Sequence, residues 1–264
     1  MLTSLPQPPK TTALYSLLIR LSAADKGRIP VTLGRAIHAQ VMQWLNAGNC
    51  ELAIAVHNAQ VSPLSLSDLM PAQPQTCHSR QFSIRVSLLD GCLLEPLLLG
   101  LEQHGTTPIS LGKFPFVICG IETLPGLHPS VQVSDYQWLY QVSETQHNIK
   151  LKFCSPTSFK QQQHIQPFPL PELVFGSLLR RWNTFAPESL QFPVVEWQGL
   201  IAAYDLKTRA LKMKGGAEIG AQGWVNYRFP DPEQARIATV LAHFATFAGV
   251  GRKTAMGMGQ TQLH

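Results

Sequence analysis

The chain's clearest structural pattern is Phe82-Ser83-Ile84-Arg85-Val86-Ser87-Leu88, in which apolar and polar residues alternate without a break. In an extended chain, alternation with a period of two places every second side chain on the same face. The pattern therefore predicts a strand with one buried face. The segments on either side of it indicate what kind of sheet this strand belongs to.

Toward the N-terminus, residues 14–21 are apolar with little polar interruption, which is typical of a buried strand. Ile37, Val41 and Trp44 then recur at spacings of three and four, so they share one face of an amphipathic helix. Gly48 is a suitable residue to end that helix. These segments predict a strand followed by a helix.

The remaining segments of this half complete a repeating order. Residues 52–57 are a strand candidate, the Pro- and Ser-rich residues 62–75 are predicted to form an irregular loop, residues 93–103 a helix and residues 116–122 a strand. The resulting order β-α-β-β-α-β is that of a ferredoxin-like fold.

The C-terminal half shows a similar order. Its predicted elements are a strand at 149–154, a helix at 171–182, strands at 194–205 and 223–229, a helix at 232–247 that has proline in its first turn, and a short or irregular last strand. We therefore predict an α+β protein of two tandem ferredoxin-like (RRM-like) domains that face each other across a cleft. The predicted domains span residues 1–142 and 149–264.

The positive charge of the chain is unevenly distributed. The whole chain carries a net charge of +5, but residues 1–149 have 8 Lys+Arg against 9 Asp+Glu, and residues 150–264 have 13 against 7. A basic half of this kind favours a polyanion-binding surface, although a solvated basic face explains the count equally well. Three basic groups contribute most of the excess: Arg180 and Arg181; Lys207, Arg209, Lys212 and Lys214; and Arg252 and Lys253.

The composition excludes several classes of protein. An apolar content of 45% argues against disorder, and no apolar run reaches the length that a membrane span needs. The five cysteines are widely spaced without a C-x-x-C pair, which indicates reduced thiols in a cytoplasmic protein and no zinc site. We expect no metal and no cofactor.

Residues 249–259 (GVGRKTAMGMG) form the most informative segment, because four glycines follow directly on a predicted helix. Glycine allows a phosphate to approach bare backbone N–H groups, and Arg252 and Lys253 would add charge. The segment fits neither a P-loop nor a dinucleotide fingerprint. A phosphate-binding loop and a simple glycine-rich turn both remain open. The four glycines are Gly249, Gly251, Gly257 and Gly259.

Among nine histidines, His38 is the best candidate for chemistry. It lies early in the first predicted helix, one turn after Arg35, and is offset from the apolar face. An imidazole that titrates near neutrality suits acid–base catalysis on an RNA hydroxyl. A surface histidine without a role is the alternative.

Two of the basic groups also have two explanations each. Arg180 and Arg181 next to Trp182 would suit phosphate contacts and base stacking, or they would complement the dipole at the end of a helix. The second group lies on a predicted hairpin that would either bind a phosphate backbone or be solvent-exposed without a role. Its residues are Lys207, Arg209, Lys212 and Lys214.

Taken together, these segments resemble the repeat-processing endoribonucleases of CRISPR systems, in the RAMP superfamily. The glycine-rich residues 249–259 are similar to the C-terminal loop of that family. Three further segments resemble it in the same order along the chain: residues 56–64, residues 153–159 and the glycine-containing hairpin at 215–227.

The resemblance implies metal-independent cleavage of CRISPR repeat RNA (precursor crRNA) that leaves a 2′,3′-cyclic phosphate and a 5′-hydroxyl. In many members a histidine of the first helix is the general acid–base, and His38 matches that position. The expected partners are repeat RNA and a CRISPR effector ribonucleoprotein, with no membrane.

The chain departs from the family pattern at two positions. Members with a fuller triad add a tyrosine before the first helix and a lysine near its end. Here the loop before the helix has no tyrosine, and residues 40–46 contain no lysine. Another cation, such as Lys26, Arg28 or Arg35, would have to stabilise the scissile phosphate. A non-catalytic RNA-binding subunit therefore remains an alternative, as does, more remotely, a basic protein with no role in RNA.

Overall fold

The computed structural model describes residues 11–71, 80–142, 144–213 and 216–264, and the side chains of Val142, Lys212 and Met213 are not described. Two antiparallel sheets have helices packed on one face each, and each sheet with its helices encloses an apolar core. This arrangement confirms the predicted α+β class with two ferredoxin-like domains.

In its described residues, the N-terminal domain has six strands and three α-helices. In chain order they are β1 (Ala13–Ala23), α1 (Gly34–Gly48), α2 (Cys50–Asn58), β2 (Leu64–Leu66), β3 (Met70–Pro71), β4 (Gln81–Leu88), α3 (Leu94–His104), β5 (Ile109–Leu111) and β6 (Phe114–Glu122). The main strand order is β2-β4-β1-β6-β5, and β3 pairs with β4. The alternating stretch that the sequence singled out is thus β4, at the centre of the sheet beside β1.

The prediction of a strand at residues 52–57 is wrong, because this segment belongs to the helix α2. Asn49 lies between the two helices: its backbone N–H donates to Leu45 O (2.7 Å), and its side chain accepts from Leu52 N (3.0 Å). An Asn that caps a helix in this way is a start signal that outweighs a short apolar run. α1 and α2 therefore form a helical hairpin.

The second strand of this domain lies instead at β2, inside the Pro- and Ser-rich stretch that was predicted to be a loop. Leu64 and Leu66 are completely buried and pair with Leu88 and Val86 of β4. The strand has only three residues, so its alternation was too short to stand out in the sequence.

Between the domains, β7 (Gln132–Asp135) pairs with β1, and α4 (Tyr136–Val142) follows directly. Tyr136 and Leu139 are buried in the same apolar cluster as the core of the C-terminal domain. The chain thus returns to the first sheet before it enters the second core. The boundary predicted between residues 142 and 149 stays a prediction.

The described part of the C-terminal domain has six strands and two α-helices. They are β8 (Asn148–Thr157), β9 (Phe159–Gln161), β10 (His164–Gln166), α5 (Pro171–Phe185), β11 (Leu200–Met213), β12 (Gly216–Arg228), α6 (Pro232–Ala248) and β13 (Thr261–Leu263). The sheet order β11-β12-β8-β13 matches the order β2-β4-β1-β6 of the first domain, and β9 and β10 form a separate hairpin.

Three elements of this domain differ from the expected bounds. The strand predicted from residue 194 begins only at Leu200 and continues to Met213, because it pairs along the full length of β12. The strand predicted at 223–229 starts earlier, at Gly216, for the same reason. The third element, the β9–β10 hairpin, was not predicted; Gln161 pairs with His164 on either side of its turn.

Other predictions concern the chain as a whole. No disulfide joins the four cysteines in the described parts of the chain, and Cys77 lies outside them. None of the described helices has the length and apolar character that crossing a membrane requires.

Candidate functional site

His38 lies on α1, the first arm of the helical hairpin. Ile37 and Val41 are completely buried in the core, and His38 is offset from them by one position, so its imidazole is half-buried. His57 lies near the end of α2, the second arm, and is exposed. The helical hairpin therefore brings together two histidines that are 19 positions apart in the sequence.

The surroundings of His38 keep its imidazole uncharged at neutral pH. Burial lowers the pKa of His38 below its ordinary value of 6.5, and repulsion by a positive charge on His57 lowers it further. A neutral imidazole has a lone pair ready to accept a proton. The site can therefore supply a general base under physiological conditions.

The glycine-rich segment, residues 249–259, connects the C-terminal domain to this helix. Its central turn, Thr254–Met256, packs against the start of α1, and Ala255 is buried within the N-terminal core. At Gly34, the first residue of α1, an added Cβ would lie 2.0 Å from the carbonyl oxygen of Met256. Only glycine allows so close an approach, so the segment lies about one helical turn from His38.

The four glycines of the segment have the positive φ angles that glycine favours, but they do not present a row of bare amides. Gly249 N donates to Ala245 O (2.9 Å), Gly251 N to Ser177 Oγ (3.2 Å) and Gly259 N to Pro156 O (3.1 Å). Gly257 is buried. The expectation that these amides receive a phosphate is therefore corrected for three of them, because the protein itself uses the donors.

Arg252 and Lys253 share one carboxylate. Glu218 of β12 accepts a hydrogen bond from Arg252 Nη1 at 2.7 Å and another from Lys253 Nζ. The hydrogen bond from Lys253 is the main reason that the pKa of Glu218 lies below its ordinary value. The pair thus contributes about one net positive charge rather than two.

A polar cleft of about 250 Å³ lies between α5, β9 and the glycine-rich segment. We call it the α5 cleft. Three cations line it, namely Lys160, Arg180 and Arg252, against the single carboxylate of Glu172. Arg180 is exposed, as a phosphate contact requires. Lys160 was not among the cations singled out in the sequence, because no strand was predicted where β9 lies.

Arg181 and Trp182, in contrast, point into the protein. Arg181 is 3% exposed, and its guanidinium donates to protein acceptors on both sides of the domain interface. Burial lowers its pKa to about 10. Trp182 is completely buried and donates to Leu190 O (2.8 Å). The expectation of direct contacts with RNA is therefore corrected for both residues.

Lys207 and Arg209 are exposed on β11, where they lie opposite Gln222 and Gly220 of β12. On β8, Ile149, Leu151 and Phe153 are buried in the core, so the alternate residues point to the other face of the sheet. The pairing register places those residues on the same face as Lys207 and Arg209. We call this surface the cationic sheet face, and its members are Lys150, Lys152, Lys207 and Arg209.

The cationic sheet face also carries an aromatic ring, because Lys150 Nζ lies 4.4 Å from the ring centroid of Trp224. Lys150 and Lys152 were not singled out in the sequence, although they alternate there with three apolar residues. For Lys212, only the backbone in β11 is described, and Lys214 lies outside the described residues.

The loop between β1 and α1, together with the first turn of α1, supplies three more exposed cations. Lys26 and Arg28 lie in this loop, and Arg35 is on the first turn of α1. Arg80 holds the loop by donating to Asp25 O (2.6 Å) and Gly27 O (2.8 Å). In the described parts of the chain, no three His, Cys, Asp or Glu side chains form a group that would hold a metal ion.

Comparison with known proteins identifies the C-terminal domain most directly. Residues 151–261 match the family model "CRISPR-associated endoribonuclease Cas6". No curated protein sequence matches the chain significantly.

Solved structures resemble the chain over nearly its whole length. A Cas6 product complex shares 26% identity, with 96% of this chain and 99% of that chain covered and a TM-score of 0.77. Another Cas6 product complex shares 22% identity over 96% and 100% of the two chains, with a TM-score of 0.82. Thermus thermophilus Cas6 shares 21% identity over 98% and 100%, with a TM-score of 0.74. The C-terminal residues 151–261 thus match the Cas6 family model, and the fold of the whole chain is similar to that of solved Cas6 structures.

Proposed function

We propose that this protein cleaves CRISPR repeat RNA without a metal ion, with His38 as the general acid–base. The observation that carries the proposal is the half-buried, neutral imidazole of His38 on α1, next to the glycine-rich segment of the other domain. The family match and the product complexes of similar proteins support RNA as the substrate. A further similar structure is that of a Cas6 in which a histidine is replaced by alanine.

The reaction would proceed by attack of a ribose 2′-hydroxyl on the adjacent phosphorus. The neutral imidazole of His38 takes the proton of the hydroxyl, or, once protonated, delivers one to the leaving 5′-oxygen. The P–O5′ bond breaks, so the products are a 2′,3′-cyclic phosphate and a 5′-hydroxyl. A nearby cation would stabilise the negative charge that develops on the non-bridging oxygens of the scissile phosphate. The exposed candidates around α1 are Lys26, Arg28 and Arg35.

Two surfaces of the C-terminal domain would hold the RNA. The cationic sheet face offers exposed Lys207 and Arg209 together with the indole of Trp224, and the α5 cleft offers Arg180, Lys160 and Arg252. Cations of this kind bind the phosphate backbone irrespective of sequence. The glycine-rich segment supports both surfaces, because Arg252 and Lys253 are tied to Glu218 of the same sheet.

Replacing both Lys207 and Arg209 with alanine should weaken RNA binding and reduce its dependence on salt. Each lost phosphate contact is expected to lower the slope of log K against log salt by about 0.7–1. A filter-binding titration across salt concentrations measures both effects. Arg236→Ala is the matched control, since Arg236 is bound to Glu233 on α6 and should leave the slope unchanged. An unchanged slope in the double variant would exclude phosphate contacts at this face.

The pH dependence of cleavage should follow the pKa of His38. If the neutral imidazole is required, the rate falls as pH drops through a midpoint below 6.5, because burial disfavours the charged form. His57→Gln removes a repelling charge, so the midpoint should move upward while staying below 6.5. Single-turnover rates across pH test this expectation, and a midpoint that moves downward in the variant would contradict it.

A non-catalytic RNA-binding subunit is the second candidate, favoured by the absence of a tyrosine in the loop between β1 and α1 and of a lysine in residues 40–46. One experiment separates the two functions. Wild-type protein is incubated with end-labelled repeat RNA in EDTA, and the ends of any fragments are analysed. Cleavage with 2′,3′-cyclic phosphate ends supports the enzyme, whereas bound but intact RNA supports the subunit.

A further inference from the structure

We propose that Arg181 is a positioning residue for His38, because it fastens both ends of the helical hairpin α1–α2 to the C-terminal domain. The proposal rests on the proposed function of His38. Arg181 itself is buried on α5 and does not line the α5 cleft. It therefore acts through the segments to which it donates hydrogen bonds.

The first of these segments lies at the start of α1. Arg181 Nη1 donates to Thr254 Oγ1 (3.0 Å) and to Ala248 O. Ala248 directly precedes the glycine-rich segment, and Thr254 begins its central turn. The carbonyl of Met256, in that turn, is the group that packs directly on Gly34. The position of the first turn of α1 thus depends on where Arg181 holds Thr254.

The second segment lies just after α2. Arg181 Nη2 donates to Ser62 O (3.0 Å) and Leu64 O (3.2 Å), which lead from the hairpin into β2. α2 carries His57, whose charge contributes to the pKa of His38. One guanidinium therefore holds the chain before His38 and the chain after His57.

A purely structural role does not explain why a charged residue is buried at position 181. No carboxylate forms an ion pair with it among the described residues, so its charge is stabilised by neutral oxygens, and burial lowers its pKa to about 10. An unpaired buried cation usually destabilises a protein relative to an apolar residue. What arginine offers here is geometry, since its planar fork reaches acceptors on both domains at once and the ammonium of lysine cannot.

The test is Arg181→Lys, which keeps the charge but loses the fork. A misplacement of catalytic groups by about 1 Å can reduce a rate about 100-fold, and we expect a loss of that order in single-turnover cleavage with RNA affinity nearly unchanged. In the free protein, the NMR titration midpoint of His38 should rise toward 6.5, because a loosened hairpin leaves the imidazole less buried. Arg236→Lys, on the surface of α6, is the matched control and should change neither measurement.

Thr254→Val is a second, milder variant that removes one acceptor and keeps the arginine. As in Arg181→Lys, the cleavage rate should fall and the titration midpoint of His38 should rise, but both changes should be smaller. This variant keeps the proposal testable if Arg181→Lys does not fold. Wild-type cleavage rates with an unchanged His38 titration in these variants would overturn the positioning role. The positioning role would also be overturned if the cleavage rate fell only in proportion to a lower melting temperature. Because the titration needs no RNA, its outcome is separate from that of the proposed function, which fails if the wild-type protein does not cleave.

Discussion

His38→Ala should reduce cleavage of repeat RNA by about 10²- to 10⁴-fold, the usual contribution of a general acid–base. The imidazole is the half-buried, uncharged group on α1 that would accept the proton of the attacking 2′-hydroxyl. RNA affinity should change little, because the proposed phosphate contacts lie on the cationic sheet face and in the α5 cleft. Single-turnover cleavage in EDTA, combined with filter binding, measures both properties.

The control for this experiment is His164→Ala. His164 is exposed on the β9–β10 hairpin and belongs to neither proposed surface, so its loss should leave the rate unchanged. Undiminished cleavage by His38→Ala would remove His38 from the mechanism. A loss of rate accompanied by an equal loss of RNA binding would instead make it a binding residue.

Gly34→Ala should remove most of the RNA-cleavage activity, although it adds only one methyl group. The new Cβ would lie 2.0 Å from Met256 O and 2.6 Å from Met256 C, and both are backbone atoms that cannot rotate away. α1 or the glycine-rich segment must therefore move, and His38 moves with the helix. We expect cleavage to fall about 100-fold, as small displacements of catalytic groups do, and stability to fall by about 1–3 kcal/mol from overpacking.

Gly100→Ala is a matched control, because it creates the same kind of clash at the other end of α1. Its Cβ would lie 1.8 Å from Trp44 O, where α3 crosses α1 far from the glycine-rich segment. The two variants should lose similar stability in thermal melts, but Gly100→Ala should retain much more cleavage well below its melting temperature. Equal activity in the two variants would show that the contact between Gly34 and Met256 does not position His38.

Helices and strands were predicted correctly where the hydrophobic periodicity extended over enough residues to be recognised. The alternation of residues 82–88 and the spacing of Ile37, Val41 and Trp44 predicted β4 and α1, because both patterns follow from local backbone geometry. The errors fell on short elements. α2 was taken for a strand although Asn49 offered a capping signal, and β2 was too short to show alternation.

The candidate site was only partly predictable. His38 was found from its place on α1 and from the family resemblance, and neither required the tertiary structure. His57 was not connected to it, because the hairpin that brings the two together depends on the cap at Asn49. Lys150 and Lys152 were missed although the alternation of β8 shows which face they occupy.

Arg180 and Arg181 are the clearest example of a property, side-chain exposure, that the sequence alone did not predict. They are neighbours in the chain, of the same residue type and on the same helix, yet one is exposed in the α5 cleft and the other is buried. Adjacent residues on a helix point about 100° apart, but the sequence does not state what covers each direction. The acceptors of Arg181 lie 67 to 119 positions away along the chain. Local pattern and motif were therefore enough to predict the two-domain fold, the resemblance to Cas6 proteins and His38 as the candidate catalytic residue. Only the packing of distant segments decided which cations face solvent, because burial and pairing depend on residues that are far apart in sequence.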